Sequence, residues 1–231
     1  MNLIEPLEHD RYYHIYNRGI NSGELFREKD DYIAFLDRFQ KYISPIAEIF
    51  VWCLMNNHFH FLVKIKEYEK IGFFILENNS SRSAGLWKVV TPADLPESGG
   101  PGSVGGNKLK KLDPSRQFSH LFNSYAKWFN DKYERTGSLF EKNFRRILID
   151  SDEYFKRLVY YIHQNPIHHG ISNKISEYTW SSYQSFMKAN KHKFPVTLEN
   201  TIEWFGSYSD FIDFHRQQHD NSKIENLLID D

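Results

Sequence analysis

The segment 48–65 constrains the possible fold more than any other part of this sequence. It reads EIFVWCLM, then two asparagines, then HFHFLVKI. The first run is apolar enough to be a strand inside a sheet, and Asn56 and Asn57 tolerate the left-handed backbone conformations of a tight turn. The segment is therefore predicted to be a β-hairpin, and the chain to contain an antiparallel sheet.

The patterns around this hairpin indicate an α+β fold. Apolar residues at helical or alternating spacing predict strands over 11–20 and 144–150, and helices over 30–43, 68–78, 114–135 and 152–165. Pro166 is expected to end the last of these helices, because a residue before proline disfavours the helical conformation. The element order is typical of an antiparallel sheet with helices packed on it, in a ferredoxin-like or RNA-recognition-like arrangement.

A glycine-rich stretch, SGGPGSVGGN, divides the sequence. We interpret it as a flexible linker that covers about 91–107, because glycine and serine favour a random coil. The prediction is one domain over 1–170, interrupted by this linker, and a helical C-terminal extension over 171–231. Within the extension, weaker patterns predict helices over 178–188 and 202–215.

Composition excludes several classes of function. The formal net charge of −1 argues against a strongly basic DNA coat protein, so nucleic acid would have to bind local basic clusters. Cys53 is the single cysteine, which excludes an intramolecular disulfide and a site with several cysteine ligands. No signal peptide and no apolar run of about 20 residues is visible. We therefore expect a cytoplasmic protein without membrane contact.

Two histidines are predicted to share one face of the second hairpin strand. Side chains alternate along a strand, so His58 and His60 point the same way while Phe59 points to the opposite face. Two imidazoles so placed can ligate one metal ion and leave its other positions to water and a phosphate oxygen. The chain has 11 histidines, so the pair is also compatible with two partly exposed side chains that bind nothing.

A tyrosine and an asparagine are predicted to share one edge of the helix over 152–165. Tyr161 and Asn165 lie about 40° apart around the helix axis, beside the apolar arc that would dock on the sheet. Tyr160 is expected to face solvent or the C-terminal extension instead. A phenol at this edge can attack a phosphate held by a metal, with the carboxamide oxygen as a third neutral ligand. An amphipathic tyrosine at the edge of a core is the alternative.

Taken together, these segments resemble the single-tyrosine transposases that carry a His-hydrophobic-His (HUH) motif. VWCLMNNHFHFLVKI resembles the motif strand, and YIHQNP resembles the tyrosine helix. YYHIYNRG near the start, the run over 118–170 and YTWSSY over 178–183 are similar to the branch of REP-associated tyrosine transposases. The resemblance spans about 12–185, and it implies an HUH nuclease core related to the IS200-type insertion-sequence transposases.

The resemblance implies a specific set of site residues. Tyr161 would be the nucleophile, and His58, His60 and Asn165 would hold a divalent ion, Mg²⁺ or Mn²⁺. The implied reaction nicks and rejoins single-stranded, hairpin-forming DNA through a 5′-phosphotyrosine, in a chain that can be a homodimer. Two positions depart from the pattern, because Asn165 stands where related insertion-sequence transposases have a glutamine, and Asn143 stands where many relatives have an arginine.

Basic residues after the linker and on the strand over 144–150 are expected to contact DNA phosphates. They are Lys108, Lys110, Lys111, Arg116, Arg145 and Arg146. Each of them alone is equally compatible with an ordinary solvated surface.

Other functions remain compatible with the sequence. One is a non-catalytic, RNA-recognition-like module whose aromatic side chains, such as Phe59 and Phe61, stack on bases. Another is a domesticated protein that processes repeated palindromic elements without moving itself. A replication initiator or relaxase would keep the nuclease fold, but the length of 231 residues argues against these multi-domain proteins.

Overall fold

The structure is a computed structural model that describes residues 6–76, 88–95, 103–104, 107–187 and 194–219. Its strands, in chain order, are β1 (Tyr12–Arg18), β2 (Ala47–Leu54), β3 (His58–Ile65), β4 (Phe73–Leu76), β5 (Lys88–Val90), β6 (Ser103–Val104), β7 (Asn107–Lys111) and β8 (Arg145–Ile149). Its helices are α1 (Lys29–Ile43), α2 (Pro114–Lys132), α3 (Asp152–His168), α4 (Tyr183–Phe186), α5 (Leu198–Glu203) and α6 (Tyr208–Arg216).

The main sheet has four antiparallel strands in the order β2-β3-β1-β8. Strands β2 and β3 form the predicted hairpin, and its turn is closed by a hydrogen bond of 2.8 Å from the Met55 N–H to the His58 carbonyl oxygen. With α1 between β1 and β2, and α2 before β8, the arrangement is ferredoxin-like. The predicted α+β class with an antiparallel sheet and packed helices is confirmed.

The two faces of the main sheet are covered by different helices. Ile15, Phe59 and Phe61 are fully buried on the face that packs against α1 and α2. Tyr16 and Leu62 point to the other face, which packs against α3 and the C-terminal extension. The alternation along β1 and β3 therefore separates a mainly apolar layer from the layer that holds His58 and His60.

Helix α3 begins as predicted but continues past Pro166. The Ser151 hydroxyl accepts a hydrogen bond from the Tyr154 N–H at its start, and Asp152 follows in the first turn. The prediction that Pro166 ends the helix is wrong, because α3 runs to His168. Proline removes one N–H donor, but Pro166 is buried, and its carbonyl oxygen accepts a hydrogen bond of 2.9 Å from the Ile171 N–H. Tertiary packing outweighs the local preference here.

The predicted helix over 68–78 is also wrong. The chain makes a 3-10 turn at Tyr68–Lys70 and then enters β4, while residues 77 and 78 lie outside the described part. Gly72, just before β4, permits a close approach to β5, because a Cβ there would lie 2.9 Å from the Val90 carbonyl oxygen. The close backbone approach at this glycine brings β4 beside β5. A second antiparallel sheet, in the order β5-β4-β7-β6, results.

The interval 91–107, predicted to be a linker, contains regular elements in its described part. Pro92–Asp94 is a 3-10 helix, and β6 pairs with the start of β7. Residues 96–102 and 105–106 lie outside the described residues. The three lysines at 108, 110 and 111 are therefore part of a strand in the second sheet, whereas the division into 1–170 and 171–231 stays a prediction.

The C-terminal extension covers the outer edge of the main sheet. In the predicted helix over 178–188, only the short α4 is helical, and the predicted helix over 202–215 is divided by a turn at 204–207 into the end of α5 and α6. Backbone N–H groups of Leu54 and Thr197 donate to the carbonyl oxygens of Trp180 and Ile49, at 2.9 and 2.8 Å. These bonds occupy the edge of β2, which would otherwise be open to another strand.

No helix among the described residues has both the length and the apolar character needed to cross a lipid bilayer.

Candidate active site

The structure brings His58, His60, Tyr161 and Asn165 together between β3 and α3. The His58 Nε2 atom lies 2.9 Å from the Asn165 Oδ1 atom. The Tyr161 ring meets the His60 ring edge-on, with 5.6 Å between their centroids. Strand alternation places the two imidazoles on one face, and helical phase places the phenol and the carboxamide on the side of α3 that contacts that face.

Burial keeps both imidazoles of the pair neutral. Removal from water lowers the pKa of His58 to about 4, and it lowers the pKa of His60 well below the usual value. A neutral imidazole has one N–H donor and one nitrogen lone pair. This is the protonation state in which histidine binds metal ions.

His58 lies between two amide oxygens. Its Nδ1 atom is 2.7 Å from the Asn57 Oδ1 atom, and its Nε2 atom is 2.9 Å from the Asn165 Oδ1 atom. The neutral ring can donate to one of them, so one oxygen faces a lone pair. A cation bound by Nε2 and the Asn165 oxygen would resolve this, because neighbouring ligands of an octahedral ion lie about 3 Å apart. Without a metal, a rotated Asn165 carboxamide would place its nitrogen, a donor, opposite the Nε2 lone pair of His58.

His60 presents a buried nitrogen to the same space. Its Nδ1 atom lies 3.0 Å from the Nε2 atom of His14, and its own Nε2 atom has no hydrogen-bond partner among the described residues. The residue is 1% exposed. Leaving such an atom unpaired costs on the order of 1–3 kcal/mol, and a bound ligand would remove that cost.

The donor set fits a divalent ion that accepts both nitrogen and oxygen. Within the described ranges, no three histidine, cysteine, aspartate or glutamate side chains converge as a metal site. The candidate set consists instead of two imidazoles, His58 and His60, and the carboxamide of Asn165. All three are neutral, which leaves room for the charge of a phosphate. Mn²⁺ tolerates imidazole better than Mg²⁺ does.

Three further histidines near the pair were missed by the sequence analysis. His14 is fully buried beside His60. At the end of α3, the exposed His169 ring lies 4.8 Å from the His58 ring, and the His168 ring lies 6.4 Å from the Tyr161 ring. The position of His14 depends on the pairing of β1 with β3, which no local pattern reveals. The other two follow Asn165 by three and four residues, a spacing that helical phase could have detected.

Tyr160 faces away from the histidine pair. It is 6% exposed, and its ring lies 4.7 Å from the His219 ring and 6.1 Å from the Phe214 ring. The prediction named solvent or the C-terminal extension as the environment of Tyr160, and the structure shows the C-terminal extension. The adjacent tyrosines of α3 thus occupy different environments.

A chain of buried hydrogen bonds holds α3 against β2 and α6. The Ser182 Oγ atom accepts from the Trp52 backbone N–H and also lies beside His163 Nε2, and His163 Nδ1 lies beside His215 Nε2, each at 2.9 Å. The last link runs from His215 Nδ1–H to the Phe211 carbonyl oxygen at 2.8 Å. Because the Phe211 carbonyl oxygen can only accept, a neutral His215 has its proton on Nδ1, and its Nε2 atom accepts from His163 Nδ1–H.

We expect these buried, hydrogen-bonded histidines to make the free energy of unfolding sensitive to acid. Burial lowers the pKa of His215 to about 4 from the usual 6.5. Above pH 6.5 this histidine is neutral in both the folded and the unfolded protein, so its lowered pKa does not change the free energy of unfolding. Below pH 6.5 the unfolded protein binds the proton more readily, so His215 alone reduces the free energy of unfolding by about 2 kcal/mol at pH 5. Urea unfolding at pH 7.5 and pH 5 measures this loss. The His215→Gln variant should show a smaller loss, and an equal loss in both proteins would contradict the assignment.

One cross-strand row connects His60 with Arg145. In the main sheet, His60 lies opposite Tyr16, and Tyr16 lies opposite Arg145. Residues that lie opposite each other point to the same face, so Arg145 shares the face of His60, two strands away. Arg146 points to the other face, where its guanidinium carbon lies 4.2 Å from the centroid of the Phe144 ring.

The other predicted DNA contacts lie on different elements. Lys108, Lys110 and Lys111 are on β7, and Arg116 is exposed in the first turn of α2. The ammonium group of Lys111 lies 4.2 Å from the centroid of the Tyr68 ring. The side chain of Lys108 lies outside the described part. The six basic residues are distributed over β7, α2 and β8, and Arg145 and Arg146 point to opposite faces of the main sheet.

A groove of about 580 Å³ lies beside α2 and the segment 137–144. Its lining combines polar side chains, including Asn17, Asn143 and Arg146, with aromatic ones. Asn143, which departs from the arginine of many relatives, adopts a positive φ of 62°. Asparagine tolerates this left-handed conformation better than most residues, so the backbone conformation accounts for asparagine rather than arginine at this position.

Comparison with known proteins identifies a related fold. No protein-family model matches the sequence, and no curated protein matches it either. Among solved structures, a REP-associated tyrosine transposase bound to a REP hairpin matches with a TM-score of 0.50, 13% sequence identity, and coverage of 84% of this chain and 88% of that one. A bacterial tRNA(His) guanylyltransferase-like protein in complex with GTP matches with a TM-score of 0.33 and 11% identity, over 72% of this chain and 70% of that chain. The α+β fold of this chain is thus similar to that of the HUH transposases.

Proposed function

We propose that this chain is a metal-dependent, single-tyrosine transposase that nicks and rejoins single-stranded DNA. The observation that carries the proposal is the meeting of Tyr161 and Asn165 on α3 with His58 and His60 on β3. A structural role alone gives no reason for a phenol, a carboxamide and two neutral imidazoles to converge in one buried layer. The similar fold of the transposase bound to a hairpin supports the choice of DNA as substrate.

The residues divide the proposed reaction between them. His58, His60 and Asn165 would hold the divalent ion, Mg²⁺ or Mn²⁺. A divalent ion held there would neutralise charge on the scissile phosphate and polarise it for attack. The Tyr161 oxygen forms a bond to phosphorus as its proton leaves, the bond from phosphorus to the 3′-oxygen breaks, and that oxygen becomes a 3′-OH. The 5′-phosphotyrosine keeps the energy of the broken bond, so a new strand end can be joined without a nucleotide cofactor.

The structure weakens the main alternative, a non-catalytic base-stacking module. Phe59 and Phe61 are both fully buried against α1 and α2. Bases cannot stack on them without removal of a helical layer. The opposite face of the sheet is covered by α3, so neither face offers the exposed aromatic platform that RNA-recognition-like modules use.

Metal-dependent nicking is the direct test of the proposal. The full chain is incubated with a labelled single strand that contains a hairpin, with Mn²⁺, with Mg²⁺ or with EDTA. We expect a nicked product with either ion and none with EDTA. Binding of the hairpin strand without nicking in any metal would favour the non-catalytic module. A domesticated processor of palindromic repeats would nick and rejoin DNA in the same way. An assay of strand transfer to a second DNA is needed to distinguish it from a transposase.

Arg145 is expected to contact the DNA backbone beside the active site, because it lies on the face of His60 and its side chain is exposed. Arg145→Ala should weaken binding of the hairpin strand and reduce the slope of log K against log salt by about 0.7, the value for one phosphate contact on a single strand. Fluorescence anisotropy at several salt concentrations measures both quantities. Arg216→Ala is the charge-matched control, since Arg216 is exposed on α6. Equal slopes for both variants and the wild type would rule out this contact.

A further inference from the structure

His14 contacts the histidine pair directly, and the proposed function leaves it without a role. It lies on β1, on the sheet face that α3 covers, and it is fully buried. Its Nε2 atom lies 3.0 Å from the His60 Nδ1 atom, and the two rings stack with 5.1 Å between centroids and 23° between planes. Its Nδ1 atom has no hydrogen-bond partner among the described residues.

The hydrogen bond between the two rings allows two arrangements of protons. In the first, His60 Nδ1–H donates to His14 Nε2, so the His60 Nε2 atom carries a lone pair. In the second, His14 Nε2–H donates to His60 Nδ1, and the His60 Nε2 atom then carries the proton. A neutral imidazole carries a single proton, on one of its two nitrogens. Only the first arrangement leaves His60 able to bind a metal through Nε2.

We infer that His14 is a positioning residue that accepts the Nδ1 proton of His60 and so directs the Nε2 lone pair of His60 toward the metal. This inference rests on the proposed function, because it requires a metal at His60. The remaining proton of His14 then lies on its own Nδ1 atom. The partner of a ligating imidazole fixes both the tautomer and the ring orientation of the ligand.

Stacking is a competing explanation for a planar ring at position 14, and it predicts a different order of effects among substitutions. The Tyr16 ring lies 4.7 Å from the His14 ring and 5.6 Å from the His60 ring, all nearly parallel. If His14 served only to fill this stack, phenylalanine would replace it well and glutamine would not. If His14 serves as the acceptor, the order is reversed, because a glutamine oxygen can occupy the place of Nε2 while phenylalanine has no acceptor.

The test measures Mn²⁺ affinity of the full chain by electron paramagnetic resonance, without DNA. His14→Phe should bind Mn²⁺ about 10- to 100-fold more weakly than the wild type, the range for loss of a ligand's partner, while His14→Gln should stay within about 3-fold. Equal affinity of wild type and His14→Phe, or weaker binding by His14→Gln than by His14→Phe, would overturn the inference.

A second measurement needs no substitution at His14. Nitrogen-15 NMR of the wild-type chain saturated with Mg²⁺ reports which ring nitrogen of His60 carries the proton, with the signals assigned by comparison with His60→Asn. We expect the proton on Nδ1. A proton on Nε2 would refute the role of His14 while leaving metal binding intact. If the wild type bound neither ion, the proposed metal site itself would fail, and the inference with it.

Discussion

Tyr161→Phe should abolish the covalent DNA adduct and reduce strand cleavage by at least about 10³-fold, as expected for removal of a nucleophile. The substitution removes a single oxygen from a side chain that is 5% exposed. The ring keeps its edge-on contact with His60, so the free energy of unfolding should change by about 1 kcal/mol or less. Denaturing gel electrophoresis of protein incubated with labelled hairpin DNA and Mn²⁺ measures the adduct.

Tyr160→Phe is the matched control for this prediction. The two tyrosines are adjacent in α3, equally buried, and chemically identical, but Tyr160 contacts Phe214 and His219 of the C-terminal extension. Its loss of a hydroxyl should leave cleavage and adduct formation at the level of the wild type. An adduct that survives in Tyr161→Phe and disappears in Tyr160→Phe would reverse the assignment of the nucleophile.

His58→Ala and His60→Ala should each reduce metal-dependent cleavage by at least about 100-fold. Loss of a side chain that merely orients a ligand already costs about 10- to 100-fold in metal affinity or activity, and these two would be the ligands themselves. The fold should survive, because the apolar layer of Phe59 and Phe61 lies on the other face of β3. Initial nicking rates, measured over a series of Mn²⁺ and Mg²⁺ concentrations, give the effect.

His120→Ala provides the control for the loss of an imidazole. His120 is exposed on α2, on the side of the sheet opposite to α3, and should not affect cleavage. Circular dichroism and thermal unfolding of all three variants separate a lost ligand from a lost fold. Wild-type nicking rates for His58→Ala and His60→Ala with both ions would show that the metal assignment is wrong.

The sequence was most informative in segments where the apolar residues follow one clear repeat, either the alternation of a strand or the turn of a helix. Alternation along 58–65 placed His58 and His60 on one face, and helical phase along α3 separated Tyr161 from Tyr160. Both inferences need only the geometry of one element, and neighbouring elements do not change that geometry. The topology of the main sheet followed from the order of these strongly periodic segments.

Predictions failed where tertiary contacts decide the structure. The run FFIL after Gly72 is too short for its period to distinguish a strand from a helix, and its pairing with β5 and β7 makes it a strand. Pro166 stays within α3 because packing outweighs its local preference. His14 could not be assigned from its neighbours in sequence, because its contact with His60 depends on a strand pairing between residues 46 positions apart.

Mass spectrometry of the peptide linked to DNA tests the central claim most directly. The wild-type chain is trapped with a labelled hairpin strand and Mn²⁺, digested, and the modified peptide is sequenced. The proposed mechanism predicts a phosphodiester link to Tyr161, formed in the presence of the metal and absent with EDTA. A link to another residue, or the absence of any covalent product on hairpin substrates that the protein binds, would contradict it.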